Sequence, residues 1–526
     1  MCSLQQPTVA VDVENFLQQY PDEIVGVLSG LDRVVYRGTF RSLSYAEGMA
    51  KFLSFQGVLL KDFGRFAESC TKQLKQGVEK LAEGARLQVQ YLASAGDSKE
   101  QRALEIASEN GVNEGLIAVL SCVEPCRTFD VYRNAETKKL ELVKRERKCL
   151  FYYFYYRHKQ FGLMHVRLQS WLPFDVQICL NGRSYLAEQM NRVGMDFEQR
   201  DNCFARIDDI ARAQRMLDAL AGKGWVAVLE RLSWQVNRLL KNVLRGQRYY
   251  WITRQAEIAT DVMFRDEAAL QAVYPALVEH AVHCFSSRDV MRFLGRRTNS
   301  RFGGEVVTRV VWDQDGVRIK HRIEENSIRM YDKQGTVLRI ETTINNPRRF
   351  RVWRAAEGGD QRQRKWLPMR KGVADFWRLV QVALASNGRY LAGLSVVGRT
   401  TPSHQVLDAV SERVKKDGQT YRALRPVSAD DAALFAAVLQ GEHAVDGFRN
   451  GDVQKRLFPG SAANPEEHKR RSAYVSRQLR LLRSHGLIHK VSGRRLYRTT
   501  PKGYEVMSTA LAFCSPHVAL LKRNAA

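Results

Sequence analysis

Long hydrophobic runs are missing from this chain. No apolar stretch approaches the ~20 residues that a bilayer-spanning helix needs, and a run such as Gly115–Leu120 is the size of a strand. The opening residues, MCSLQQPTVAVDVENF, have neither a basic n-region nor an apolar h-region, so no signal peptide is expected. Cysteine is scarce and odd in number, nine in 526 residues, which fits a reducing cytoplasm better than a disulfide framework. Glycine (36) and proline (13) are too few for a collagen-like or linker-dominated chain. Walker, GxGxxG, GxSxG and HExxH motifs are absent, which leaves ATPase, dinucleotide-binding, serine-hydrolase and zincin chemistry without support. Acids are also in deficit: 56 Asp and Glu face 82 Lys and Arg, a net charge of +26. A globular chain this basic favours a polyanionic partner, nucleic acid rather than a membrane.

The surplus charge is unevenly placed. Residues 301–526 hold 41 Lys and Arg against 21 Asp and Glu, whereas the first 300 hold 41 against 35. The polyanion contact is therefore expected in the C-terminal part. Periodicity and turn residues predict an α+β multidomain chain, with no convincing internal repeat. The expected parts are an α/β domain at 1–204, a helical middle at 205–300 and an antiparallel basic sheet plus helix at 301–398. A linker at 399–425 and a C-terminal DNA-binding domain at 426–526 complete it. Near the start, Glu14–Leu28 reads as helical and Asp32–Phe40 as a strand.

The C-terminal segment carries the strongest pattern. Ser428-Ala-Asp-Asp is an N-cap with early acids. A short helix follows around Phe448–Phe458, then a long basic helix from Glu466 to His485, with Gly486 as its C′ residue. Leu487 to Thr500 reads as two short strands around a Ser492-Gly493 turn, and Pro501 opens another helix. Residues 466–503 contain eleven Lys and Arg and two Glu. Arg477, Arg480 and, one turn on, Arg483 fall at i, i+3 and i+6, on the expected exposed side of a helix whose apolar positions include Val475, Leu479 and Leu482. A helix of this size fits the DNA major groove, and Arg494 and Arg495 at the hairpin tip reach the backbone or minor groove. Tyr474, Ser476 and Gln478 are candidates for base edges. The order of elements, and LLRSHGLIHKVSGRRLYRTTPKG in particular, resembles the winged helix-turn-helix of MarR-like regulators. That likeness implies duplex DNA as partner.

Residues 303–353 alternate with period two. Arg318, Lys320 and Arg322 share one side of a strand, and Arg329, Tyr331, Arg339 and Glu341 continue that face on later strands. The face is a cationic platform suited to phosphates, with Tyr331 free to stack on a base of single-stranded DNA or RNA. The phrase IRMYDKQGTVLRIETTIN is similar to paired strands of rolling-circle replication initiators, which nick DNA with a tyrosine and a divalent metal. The resemblance implies a nicking core around Tyr331, Asp332, Lys333, Arg339 and Glu341, with Mg²⁺ or Mn²⁺ as cofactor. His165, in MHVRLQ, matches one histidine of that family's metal-binding pair, but the second is Arg167 here. The plainer reading makes Glu341 a neutraliser of its arginine neighbours.

The run Phe151–Tyr156 is expected mostly in the core, with one side available for stacking. Cys122, Cys126, Cys149, Cys179 and Cys203 lack a second paired motif and read as free thiols. Asp32, Asp261, Glu305 and Glu341 are acids that a two-metal nuclease could gather. The chain as a whole resembles a family of bacterial proteins of about this length, a likeness implying a winged-helix end and a mobile-element setting. The expectation is a cytoplasmic DNA-binding protein of mobile-element or replication type. A metal-dependent nickase or strand transferase using Tyr331, and a transcriptional regulator, are the alternatives; oligomeric state and any resident metal stay open.

Overall fold

The computed structural model describes residues 9–93, 97–296, 304–313, 316–356, 358–360, 362–395, 397, 403–440, 443, 447–491 and 494–514. It is a mixed α+β protein with a large mixed sheet, and no helix among these residues is long and apolar enough to cross a membrane. The strands of the sheet are β1 (Ile24–Thr39), β2 (Val89–Tyr91), β3 (Gly115–Arg133), β4 (Leu140–His158), β5 (Gly162–Gln169), β6 (Val176–Asn181), β9 (Tyr250–Phe264), β10 (Val306–Asp313), β11 (Gly316–Ile323), β12 (Asn326–Lys333) and β13 (Val337–Ile344). A separate small hairpin supplies β7 (Phe197–Arg200) and β8 (Cys203–Ile207). Two compact units divide the chain. One comprises Leu28–Ile258 and Arg370–Val380; the other takes the chain up to Val27, Ala259–Met369 and everything from Gln381 on.

In the Leu28–Ile258 unit the order is β1-β6-β5-β4-β3-β2, antiparallel except for the β2–β3 pair. The Phe151–Tyr156 run lies on β4, where alternate side chains face opposite ways. Helix Lys99–Glu109 covers one face, burying Ala103 and Ala107 with Phe151, Tyr153 and Tyr155. Tyr152 and Phe154, on the other face, are buried too. No member from Phe151 to Tyr155 is therefore available for base stacking.

The second unit follows a similar outline, although the first also places β2 among its helices and the second inserts a separate hairpin, Arg351–Ala355 with Arg364–Pro368, after its meander. β1 is followed by helices, by the four-strand meander β3–β6 whose last strand lies beside β1, and by helix Gly182–Arg192. β9 is followed by helices Glu267–His283 and Ser287–Phe293, by the meander β10–β13 whose last strand lies beside β9, and by helix Phe376–Leu394. Ile319, Ile328, Met330, Leu338 and Ile340 alternate onto one face and pack against Leu270, Leu277, Val290 and Tyr390 of those helices. His321 sits within this core, in hydrogen-bond contact with Thr308 at 2.8 Å and the Tyr390 hydroxyl at 3.1 Å.

Burial lowers the pKa of His321 from 6.5 to about 4. The unfolded chain thus binds the extra proton between these two values. The resulting stability is complete above pH 6.5 and is lost as pH falls towards 4. We expect urea midpoints to drop over that window, and a His321→Gln variant to drop less steeply.

Three expectations need correction. The middle is not simply helical: it contains the 15-residue strand β9, whose β-branched Ile252, Thr253, Ile258, Thr260 and Val262 suit a pleated surface. The first helix ends at Leu17 and β1 begins already at Ile24. The 399–425 segment is not a free connection, because Leu407, Val410 and Leu424 belong to the C-terminal core with Val475, Leu479 and Leu482. It also holds a short hairpin, Val414–Lys416 with Gln419–Tyr421.

Candidate nucleic-acid interface

The C-terminal core is built by helices Ala429–Val438, Asn450–Leu457, Pro465–Ser484 and Pro501–Phe513. The long helix starts where the sequence asks it to: the Asn464 side chain accepts the Glu467 amide at 2.8 Å, Pro465 occupies the first turn, and Glu466 and Glu467 face the positive helix end. Asn450 ties this helix to the preceding one, donating to the Ser472 carbonyl at 2.9 Å and the Ser476 hydroxyl at 2.8 Å. Gly486 ends it at φ +76°, a conformation that glycine adopts without strain. Ile488–Lys490 pairs antiparallel with Tyr497–Thr499, and Phe448 bridges to Tyr497 from the other side. The expected Ser492-Gly493 turn, like the centre of the Asp313–Gly316 turn, lies outside the described residues.

Val475, Leu479 and Leu482 point into the core, which turns Arg477 and Arg480 outwards and leaves Arg483 half-exposed. Arg494 and Arg495 are exposed beside the hairpin. Among the described residues none of these five side chains has an ion pair. Arg471 differs, being held by Glu467 at 2.6 Å and by the Gly460 carbonyl. Ser476 accepts from Asn450, and Tyr474 packs edge-on against Phe458.

Helix Pro501–Phe513 closes against the hairpin at one tight point. A Cβ on Gly503 would stand 1.9 Å from the Leu487 carbonyl oxygen. Gly503→Ala should therefore destabilise the C-terminal core by roughly 1–3 kcal/mol, the usual range for overpacking, read as a lower thermal midpoint.

On the second face of the β10–β13 meander, the register lines up Arg309, Lys320, Arg329 and Glu341 across the strands, with Arg318, Tyr331 and Arg339 in the next row. Arg322 stands at the edge, opposite Ser327. Arg309 was missed by the sequence reading. The antiparallel register that pairs Asp313 with Gly316 sets it opposite Lys320, and that register was the signal to use. Burial lowers the Lys320 pKa, and Arg329, Arg318 and Arg322 lower it further against the opposing pull of Glu341.

Arg339 does not belong to the open platform. It is 1% exposed and forms a two-pronged pair with Asp261 of β9, at 2.6 and 2.9 Å. Glu341 is also buried. It accepts the Tyr331 hydroxyl at 2.8 Å and the Thr343 hydroxyl at 3.3 Å, and pairs with Arg329 at 2.9 Å. The structure thus brings Tyr331 and Glu341 together, as a bonded network.

His165 lies in the other unit, on β5, with its ring against Tyr153 and Tyr155. Burial pushes its pKa down to about 3, and Arg33, Arg167 and Lys99 push the same way. Arg167 is bound to Glu124 and to the Tyr153 hydroxyl, and lies flat over the Phe151 ring. A divalent cation placed beside His165 would meet three positive side chains, so these surroundings do not fit a metal. Elsewhere in this unit, one carboxylate oxygen of Asp32 and one of Glu257 lie within 4.8 Å, with Asp32 accepting from Asn202 at 2.7 Å. Cys122, Cys126, Cys179 and Cys203 are buried free thiols, and Cys149 is a half-buried one.

Compared with protein-family models, curated proteins and solved structures, the chain has no significant match to any of the three.

Proposed function

We propose that this chain is a DNA-binding protein, of mobile-element or replication type, whose C-terminal module is a winged helix-turn-helix. Helix Pro465–Ser484 enters the major groove, with Arg477 and Arg480 on base edges and phosphates and Arg483 on the flanking backbone. Arg494 and Arg495 grip the neighbouring backbone or minor groove. The observation that carries this reading is the set of five arginines without an ion pair among the described residues: Arg477, Arg480 and the half-exposed Arg483 on a helix that turns Val475, Leu479 and Leu482 inwards, and the exposed Arg494 and Arg495 beside the hairpin. A surplus helix face of this kind on an ordinary surface would be laced with acids.

On the basic sheet the exposed Arg309 and Arg322, with the half-buried Arg318, Lys320 and Arg329 between them, hold a further stretch of phosphate backbone. Contacts of this type displace counterions, so with about six phosphates log K should fall against log salt with a slope of roughly −5. Duplex affinity measured by anisotropy across a salt series tests this; a flat response removes the electrostatic reading.

A second reading has one observation in its favour: the Tyr331 hydroxyl is hydrogen-bonded to a carboxylate, as an activated nucleophile would be. In the nickase reading the Tyr331 oxygen would bond to a backbone phosphorus while the adjoining deoxyribose oxygen leaves, the tyrosine proton passing to Glu341; a divalent metal, if Glu341 helped to hold one, would supply positive charge for the phosphate. Against it, Glu341 is already neutralised by Arg329. Incubation with single- and double-stranded DNA and Mn²⁺ separates the two. A covalent adduct that Tyr331→Phe abolishes makes the chain an enzyme, and intact DNA leaves Tyr331 a structural anchor. A plain transcriptional regulator would bind one promoter tightly and ignore substitutions on the sheet.

A further inference from the structure

We infer that the Leu28–Ile258 unit carries a separate binding groove for a single strand of nucleic acid, built around Trp234. An open groove of about 710 Å³ is lined by Lys80, Arg231, Arg238 and Lys241, with Trp234 and Tyr156 among its other walls and no acid anywhere on its lining. The groove has a structural origin. Helix Trp225–Val236 buries Trp225, Leu229, Leu232 and Val236, and this turns Arg231 and Trp234, three residues apart, to the outside. The 3₁₀ turn Arg238–Lys241 then presents its two cations at the same spacing. Helix Phe63–Gly84 buries Leu74, Val78 and Ala82 and offers Lys80. Gly77 of that helix has no side chain to obstruct Arg238, whose stem would lie 2.9 Å from a Cβ there.

Four cations crowd this groove, and none has an ion pair among the described residues; the adjacent Glu79 pairs instead with Lys75. The field they make is felt nearby. His158 is held below the ordinary histidine value by burial and then by Arg231 and Arg192, and Arg238 opposes the upward push of burial on the Tyr156 hydroxyl. Trp234 remains 45% exposed. A flat indole beside unpaired cations matches a base with its flanking phosphates, because stacking is tolerant of sequence and the cations follow the backbone. The volume lies in the range of pockets for small ligands, roughly 300–1,000 Å³, enough for a splayed nucleotide but not for a duplex. The ligand class is therefore an unpaired strand, and the site is independent of the C-terminal module.

The test uses the full chain and fluorescein-labelled oligo(dT), with a labelled duplex measured in parallel. Trp234→Ala should weaken oligo(dT) binding about tenfold, the usual cost of one lost stack, and Trp234→Phe should keep most of the affinity. Arg231→Glu with Lys241→Glu should weaken it further and flatten its salt dependence, while duplex affinity stays within about twofold in every variant. Oligo(dT) affinity that is unchanged in both Trp234→Ala and the charge reversal overturns the proposal. So does full displacement of the strand by an equal concentration of dTMP, which would make this a mononucleotide pocket. If the chain binds no duplex while oligo(dT) binding still depends on Trp234, the C-terminal reading fails and this one stands.

Discussion

Arg477→Glu combined with Arg480→Glu should lower duplex DNA affinity by about 10²–10⁴-fold near 0.1 M salt. On the proposed reading each arginine would contribute a charge-assisted hydrogen bond worth roughly 1.5–3 kcal/mol, and every 1.4 kcal/mol is about a factor of ten. The salt slope should shrink by about two units as two phosphate contacts disappear. Both side chains are exposed and have no ion pair among the described residues, so the fold should be untouched and the thermal midpoint should stay where it is. Electrophoretic shift and anisotropy, with a melting curve beside them, read all three quantities. A variant that melts normally and binds duplex as tightly as the parent would place the duplex contact elsewhere.

Asp261→Ala should be the most damaging single substitution for the β9–β13 unit, at about 3–5 kcal/mol. The pair it breaks is almost solvent-free, with Arg339 1% and Asp261 2% exposed at the side chain. Removing the carboxylate leaves a guanidinium in a place where water cannot replace its partner. Replacing both members, as in Asp261→Ala with Arg339→Met, should recover most of that loss, because the desolvation cost disappears with the charge. Urea denaturation of the three variants checks this. Equal instability of the single and double variants would mean that the pair does not supply the stabilisation.

Much of the local architecture was legible in advance. The alternation in VRIKHRI and VLRIETTIN set which side chains share a face, because strand period is two whatever the surroundings. The cap at Asn464 and the glycine at 486 marked the ends of the basic helix, since orphan amides and a left-handed residue have few chemical solutions. The outward placement of Arg477 and Arg480 followed from the same arithmetic. Arg339 was misplaced because period two assigns a face but not its cover. Whether an arginine on that face meets solvent or Asp261 depends on a strand 78 residues away in sequence. β9 was missed for a related reason: TRQAEIATDV mixes helix-forming and β-branched residues, and only pairing with β13 decides between them.

By itself the sequence determined the charge asymmetry, the face that each strand side chain of 317–345 shares and the helix–hairpin–helix order after residue 464. These rest on properties that are local or additive: net charge, periodicity and capping. The tertiary structure alone decided that the meanders β3–β6 and β10–β13 end on strands lying beside β1 and β9 respectively, that Tyr331 and Arg329 both bond to Glu341, and that Lys80 comes beside Trp234, Arg238 and Lys241. Those facts depend on contacts between residues far apart in the chain, and such contacts are set by which surfaces bury each other rather than by any pattern within one segment.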